Sequence, residues 1–244
     1  MKVDLLCSGS KGNSCLVRTQ RSSIVIDCGS TKKYLMASLQ SVSQDIQTLD
    51  ALLVTHSHKD HISQLKHFEH LPSYCDLDVQ DHRCIKPLDR FIIGDMQITV
   101  IGLSHDAPNT VGYVIEDGCQ KLVYITDTGY LPNHEKAYLE NADHYIFESN
   151  HDMEMLMHTA RPMFVKQRIL SDSGHLSNED ASHNITSLIN TKTKNIVLAH
   201  LSQEANVPEL ALDVLNDTFL KKDLRSSNLR IQAAPQFGIV SIED

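Results

Sequence analysis

Three histidines and an aspartate crowd into seven residues, Thr55-His56-Ser57-His58-Lys59-Asp60-His61, directly after the apolar run Ala51-Leu52-Leu53-Val54. Imidazole nitrogens and carboxylate oxygens are the donors that divalent transition ions take. Two histidines at i and i+2 on an extended loop present nitrogens to one side, and the Asp60-His61 pair is placed to serve a second ion. That crowding suits two-metal hydrolysis, in which cations about 3.5–4 Å apart share a hydroxide and a substrate oxygen. As a mere polar turn the run would be a rare accident, even in a chain with fourteen histidines.

One loop cannot close such a site, so other elements must deliver the remaining donors. Ser104-His105-Asp106 follows the strand-like segment 98–103, Asp127 follows 122–125, and His200 follows 196–198. Each alone reads as structural or surface-exposed, but together at strand ends they point to one centre. The two halves of the chain echo each other. Segment 23–26 leads to Asp27-Cys28-Gly29 and 51–54 to Thr55-His56, while 122–125 leads to Asp127-Thr128-Gly129 and 196–198 to Ala199-His200. Two related β-rich halves whose strand ends meet at one cleft account for this pattern.

Helix signals surround the donors. Ile62, Leu65, Phe68 and Leu71 recur at roughly helical spacing, predicting a helix opened by Asp60 and His61. Ser177 and Asp180 predict an N-cap, with Leu176 and Ala181 in staple positions and Ile185, Leu188 and Ile189 on the buried face. His175 then stands just outside a helix N-terminus, whose free N–H groups suit a phosphate or carboxylate. Pro208 marks a helix over 209–219, and 91–100 predicts a hairpin turning at Gly94-Asp95.

Hydrophobic content of 41% and charged content of 22% are those of a soluble globular protein. No Pro-rich linker or low-complexity stretch interrupts the 244 residues, so 1–244 reads as one domain. The net charge of −9 argues against a uniformly positive surface for nucleic acid. A local patch stays open: Arg161, Lys166 and Arg168 either touch a phosphate backbone or form a solvated face. Six cysteines without C-x-x-C spacing read as buried, reduced thiols. With no charged-then-apolar leader and no apolar run of bilayer-spanning length, the expected location is the cytoplasm, with no membrane partner.

The H-x-H-x-D-H run, His105, Asp127 and His200, in that order, resemble the ligand motifs of the metallo-β-lactamase-fold hydrolases, and the resemblance covers nearly the whole chain. It implies an α/β (α+β) architecture, a four-layered αββα sandwich with the site at one edge of two sheets. It further implies His56, His58 and His105 as ligands of one metal, Asp60, His61 and His200 of the other, and Asp127 as the bridge. The segment 6–14, Glu148-Ser149-Asn150-His151-Asp152, Gly174-His175-Leu176-Ser177-Asn178 and Ala199-His200-Leu201-Ser202 together resemble the YycJ/VicX (WalJ) family. The chain departs from that family's pattern at Ala205, where a second Asn near Glu204 is expected. Members are bacterial, and the resemblance implies a nuclease with 5′→3′ exonuclease activity on DNA. The Gly-His-Leu-Ser element also resembles its counterpart in tRNase Z and, more distantly, RNase J, both phosphodiesterases.

On that resemblance the expected cofactor is a pair of divalent ions: zinc, which a histidine-rich set suits, or manganese, which carboxylates and water make credible. A metal-bridging hydroxide would attack phosphorus in line. Asp60 would orient it in addition to its ligand role. His175 either protonates the leaving oxygen as general acid or, as a helix-flanking residue, bonds a backbone carbonyl. Ser10, Lys11, Asn13 and Ser177 are the expected substrate contacts. The Gly/Ser-rich segment 8–14 reads either as an anion-binding nest with Lys11 supplying charge or as a plain turn. Asp27 either holds a ligating ring from behind or only forms a turn, and His151 is a candidate for the cleft wall. The same centre could hydrolyse RNA or a small ester, thioester or lactone. Against the last group stands the Gly-His-Leu-Ser histidine, since an acid helps expel an alkoxide more than a thiolate. A metal-binding scaffold with a vestigial site is the non-enzymatic alternative, which the full donor set opposes. The sequence leaves the oligomeric state open.

Overall fold

Strands that are apolar at nearly every position must be covered on both faces. The computed structural model, which describes residues 1–77, 82–224 and 228–243, arranges such strands back to back. In chain order they are β1 (Lys2–Cys7), β2 (Ser14–Arg18), β3 (Ser23–Ile26), β4 (Ala51–Leu53), β5 (Ser73–Tyr74), β6 (His82–Arg83) and β7 (Arg90–Ile93). There follow β8 (Met96–Gly102), β9 (Val111–Glu116), β10 (Lys121–Ile125), β11 (His144–Glu148), β12 (Asn195–Ala199), β13 (Arg230–Ala233) and β14 (Phe237–Ile242). They form two seven-stranded sheets, ordered β14-β1-β2-β3-β4-β5-β6 and β13-β12-β11-β10-β9-β8-β7.

Alternation along each strand splits its side chains between two cores. Val3, Leu5, Ile24 and Ile26 of the first sheet meet Ile98, Tyr113, Tyr124 and Val197 of the second in the central layer. On the outer face of the first sheet, Leu6, Leu16, Val25 and Leu52 pack against Leu35 and Leu39 of α1 (Lys32–Ser41). The shorter helices are α2 (Lys59–Ile62), α3 (Lys136–Leu139), α4 (Met153–His158) and α5 (Met163–Ile169). Val123, Tyr145, Phe147 and Leu198 cover the outer face of the second sheet, against Ala181 and Ile185 of α6 (Asn178–Leu188) and Leu215 of α7 (Pro208–Lys221). Helix, sheet, sheet and helix layers therefore stack as the expected αββα sandwich.

Parallel pairing decides where polar residues emerge. β3 and β4 are parallel, as are β10, β11 and β12, so their carboxyl ends lie along one edge of each sheet. Immediately past those ends Asp27, Asp127 and His200 take left-handed backbone with φ of 58°, 59° and 54°. Such conformations cost energy in non-glycine residues and persist where the surroundings hold them, often at functional sites. The two Asp-x-Gly turns match in detail. A Cβ on Gly29 would lie 1.7 Å from the Asp60 carbonyl oxygen, and one on Gly129 would lie 2.3 Å from that of Asp172, so only glycine admits these close approaches.

The capped helix forms as expected: the Ser177 hydroxyl accepts from the Asp180 N–H, and Ala181, Ile185 and Leu188 are buried. Ile189 ends outside α6 in extended backbone, and α7 runs past 219 to Lys221. The hairpin turns at Gly94-Asp95, between β7 and β8. The helix expected after the donor loop does not form as one piece; α2 stops at Ile62 and a separate 3-10 turn covers Leu65–His67. The Asp60 and His61 carbonyls, which a longer helix would need, instead accept from the N–H groups of Asn13 at 2.8 Å and Cys28 at 2.7 Å. The six cysteines are unpaired, but Cys84 and Cys119 are exposed rather than buried. No helix among the described residues is long and apolar enough to cross a membrane.

Candidate metal centre

The loop after β4 and the ends of β8, β10 and β12 converge at the shared edge. Among the described residues, four sets of side chains bring their donor atoms within 4.8 Å of one another: His56, His58 and His105; His56, His61 and Asp127; Asp60, His61 and His200; and Asp127, Glu148, His175 and His200. The seven residues named as ligands in the sequence thus occupy one cluster. Asp127 stands between its two sides, with Oδ2 3.1 Å from His61 Nε2 and Oδ1 3.4 Å from His200 Nε2 and 3.9 Å from His105 Nε2. Asp60 Oδ2 lies 3.5 Å from His61 Nε2 and 3.8 Å from His200 Nε2. Nδ1 of His58 approaches Nε2 of His105 to 3.3 Å.

A ligating imidazole needs a partner at its other nitrogen to fix ring and tautomer. His61 Nδ1 donates to Asp27 Oδ2 at 2.7 Å, and His105 Nδ1 donates to the Gly174 carbonyl at 2.9 Å. His200 Nδ1 lies 3.3 Å from Glu148 Oε1, and His56 Nδ1 lies 3.1 Å from the Thr55 hydroxyl. Asp27 also accepts from the Thr55 N–H and hydroxyl, so this residue both shapes the turn and holds the loop. With the Nδ1 atoms so engaged, His56 Nε2, His200 Nε2 and Asp127 Oδ2 are buried without a hydrogen-bond partner among the described residues. Orphaned buried polar atoms are costly, and cations held between these donor sets would satisfy them.

The electrostatics agree. Burial and the neighbouring His61 push His56 down to about 2, keeping its ring neutral and able to donate a lone pair. Burial alone would raise Asp60, but the neighbouring His200 and His61 rings hold its carboxyl well below the usual range. Asp127 is likewise held low, where the charges of His200 and His61 outweigh burial. His200 moves the other way, to about 10, because Asp127, Asp60 and Glu148 outweigh the cost of burying its charge, so these carboxylates draw in a proton whose positive charge a bound cation would supply instead. Imidazoles and ionised carboxylates converging in this way fit a divalent metal site.

Glu148, at the end of β11, has a role that was not assigned from the sequence. Its Oε1 accepts from His175 Nδ1 at 2.7 Å, and its Oε2 accepts from the Thr128 N–H at 2.8 Å. Burial would raise it, yet the His175 charge and hydrogen bonds from His175 and His200 bring it down to about 2. A lone acid ending the apolar run 145–147 is the signal that could have revealed it. Asp106 is a second such residue, with Oδ1 3.3 Å from His58 Nε2 and 3.2 Å from His105 Nε2.

The expected substrate contacts scatter. Ser10 borders a cavity beside the cluster, together with His175 and His200. Lys11 is exposed. Asn13 is buried, where its Nδ2 donates to Asp60 Oδ2 at 3.2 Å and lies 2.9 Å from His61 Nε2. The Ser177 hydroxyl is taken up by Asp180. The anion nest is not formed by this loop: the N–H groups of Gly9, Lys11, Gly12 and Asn13 go to Asn13 Oδ1, Gln236 Oε1, the Gly9 carbonyl and the Asp60 carbonyl. His151 is buried, and both its ring nitrogens lack a hydrogen-bond partner among the described residues.

Residues 22–201 match the family model of the beta-lactamase superfamily domain. The chain is 37% identical over 228 residues to the exodeoxyribonuclease YycJ of Bacillus anthracis, covering 86% of each. To the exodeoxyribonuclease WalJ of Streptococcus pneumoniae serotype 2 (strain D39) it is 33% identical over 241 residues, covering 91% of this chain and 90% of that one. Among solved structures, the metallo-beta-lactamase fold protein YhfI from Bacillus subtilis superposes with a TM-score of 0.75 at 19% identity, covering 98% of this chain and 99% of that one.

Proposed function

From the premise that this chain belongs to the metallo-β-lactamase superfamily and, within it, to the family of YycJ and WalJ, we propose that it is a metal-dependent phosphodiesterase. Its substrate is DNA, degraded from an end in the 5′→3′ direction. The observation that carries the reading is the Glu148–His175 pair, which sets a proton donor against the donor cluster. Phosphodiester cleavage needs that acid, because the leaving alkoxide is strongly basic.

His56, His58 and His105 would hold one ion, Asp60, His61 and His200 a second, and Asp127 would bridge them; the orphaned donor atoms and the Nδ1 partners support this allocation. Zinc or manganese there would acidify water and neutralise charge on the non-bridging phosphate oxygens. The chain's own residues do the rest. Asp60, partly exposed at the cluster's rim, accepts a hydrogen bond from the attacking water and aligns it with phosphorus. Water's oxygen bonds to phosphorus as the bond from phosphorus to the leaving oxygen breaks, and the proton that water sheds passes by way of the partly exposed Asp60 to solvent. His175, its Nδ1–H fixed on Glu148, gives the Nε2 proton to that oxygen. We read 1–244 as one domain, supported by the central layer that both sheets share, and the cytoplasm as its compartment, supported by the unpaired thiols.

The test is digestion of 5′-end-labelled and internally labelled duplex DNA, with matched RNA, by metal-reconstituted wild type and by Asp60→Ala. Mononucleotides released from DNA 5′ ends by wild type alone are expected. No cleavage of either polymer, with bound metal verified, would turn the reading toward small-ester hydrolysis.

A further inference from the structure

Beside the donor cluster lies a cavity of about 240 Å³ bordered by Ser10, Arg161, Val165, Arg168, Ile169 and Ser202. His175 and His200 border it as well, so it opens directly from the centre. In a chain of net charge −9, this corner brings together two guanidinium groups. Arg161 Nε donates to Glu204 Oε2 at 3.0 Å, and Arg168 Nη1 lies 3.2 Å from Asp106 Oδ2. Glu204 is 62% exposed and Arg168 63%, so neither pair gains much from its partner. A phosphate, which guanidinium groups bind through paired hydrogen bonds, can displace these carboxylates at small cost. Val165 and Ile169 supply an apolar flank on which a sugar or base can rest.

We infer that this cavity is the subsite for the 5′-terminal nucleotide, with Arg161 and Arg168 gripping its 5′-phosphate. The inference rests on the nuclease reading above and deepens it. His175, the acid, borders this cavity, so whatever occupies it is the leaving group. When the bond between phosphorus and O3′ breaks, the group that departs with O3′ is the nucleotide on the 5′ side, and the His175 proton goes to that oxygen. At about 240 Å³ the cavity is just smaller than the usual range of roughly 300–1,000 Å³ for small-ligand pockets, so it takes the sugar and phosphate of a single nucleotide and no duplex. The excised nucleotide therefore carries away the phosphate it was held by, and the shortened strand begins with the phosphate that was attacked. Each turnover recreates the end that the two arginines recognise. At a 3′ end the leaving group would be the remaining polymer, which this cavity cannot hold.

The experiment compares kcat/KM on internally labelled duplexes that differ only in a 5′-phosphate or 5′-hydroxyl end. Charge-assisted hydrogen bonds to a phosphate predict a preference of roughly tenfold or more for the phosphorylated end in wild type. Arg161→Ala and Arg168→Ala should each shrink that ratio, mainly by raising KM for the phosphorylated end, while Glu204→Gln, which frees Arg161, should enlarge it. Equal rates on the two ends, or a ratio unmoved in both arginine variants, overturns the subsite and leaves the nuclease reading standing. If wild type degrades no DNA, the nuclease reading is what fails. Thermal-shift titration of the full chain in EDTA with 2′-deoxyadenosine 5′-monophosphate then decides the subsite. Stabilisation by this nucleotide but not by the 3′-monophosphate, lost in Arg161→Ala, keeps it; no stabilisation removes it.

Discussion

The rings of His58 and His175 lie 5.0 Å and 4.9 Å from that of His105, yet their substitution should have different consequences. His58 faces the cluster through Nδ1, 3.3 Å from His105 Nε2, so His58→Ala should lose bound metal and turnover together. His175 Nδ1 is spent on Glu148, and His175→Ala should retain metal while lowering the rate by roughly 10²–10⁴-fold. Metal analysis beside single-turnover kinetics separates the two, and an unchanged rate in the second variant would take His175 out of the mechanism. The donors were legible from the sequence because each follows an apolar run within its own stretch of chain. Their supports were not. Asn13 reaches Asp60 and His61 across 47 and 48 residues, and Glu148 reaches His200 across 52. Nothing local in the sequence encodes such pairings.

The elements hold these residues through backbone geometry that local patterns read unevenly. Cap chemistry is local, and Ser177 with Asp180 identified the start of α6 correctly. Because this hydroxyl satisfies an N–H that would otherwise be orphaned, Ser177→Ala should cost about 1 kcal/mol, a drop in Tm of roughly 2–4 °C at this chain length. Thermal unfolding followed by circular dichroism checks this. A loss within error would mean that the cap is replaced by water. The helix expected after the donor loop failed for the opposite reason. Its apolar spacing is real, and Phe68 is fully buried, but Asn13 and Cys28 take the carbonyls that would have extended it. The loop is thereby pinned to the turns after β1 and β3, so helix continuity gives way to ligand placement.

At the scale of the whole molecule, buried titratable groups and the donor cluster both tie stability to solution conditions. Burial lowers His151 from 6.5 to about 4. A histidine depressed in this way is neutral in the fold while the unfolded chain takes up its proton, so its contribution is intact above pH 6.5 and is lost as pH falls toward 4. The loss is at most about 3 kcal/mol. Urea unfolding in EDTA should therefore show a shallower decline from pH 7 to pH 4.5 in His151→Asn than in wild type. An identical slope would assign acid sensitivity to other groups.

Metal should act on the same balance from the other side. The donors come from the carboxyl ends of strands in both sheets, β4 in the first and β8, β10 and β12 in the second, so the full set exists only when the two sheets are packed. An ion bound by the native arrangement alone stabilises by RT ln(1 + [L]/Kd), about 2.7 kcal/mol at a hundredfold excess over Kd. For this chain length that corresponds to a rise in Tm of roughly 5–10 °C. Zinc or manganese added to EDTA-treated, dialysed protein should produce it, and Asp127→Ala should remove most of it, because the bridge touches both sides of the cluster. His134→Ala, at an exposed histidine outside every donor set, should leave the shift unchanged. A metal-dependent rise of the same size in Asp127→Ala would place the bound ion elsewhere and detach the strand-end donors from the stability of the fold.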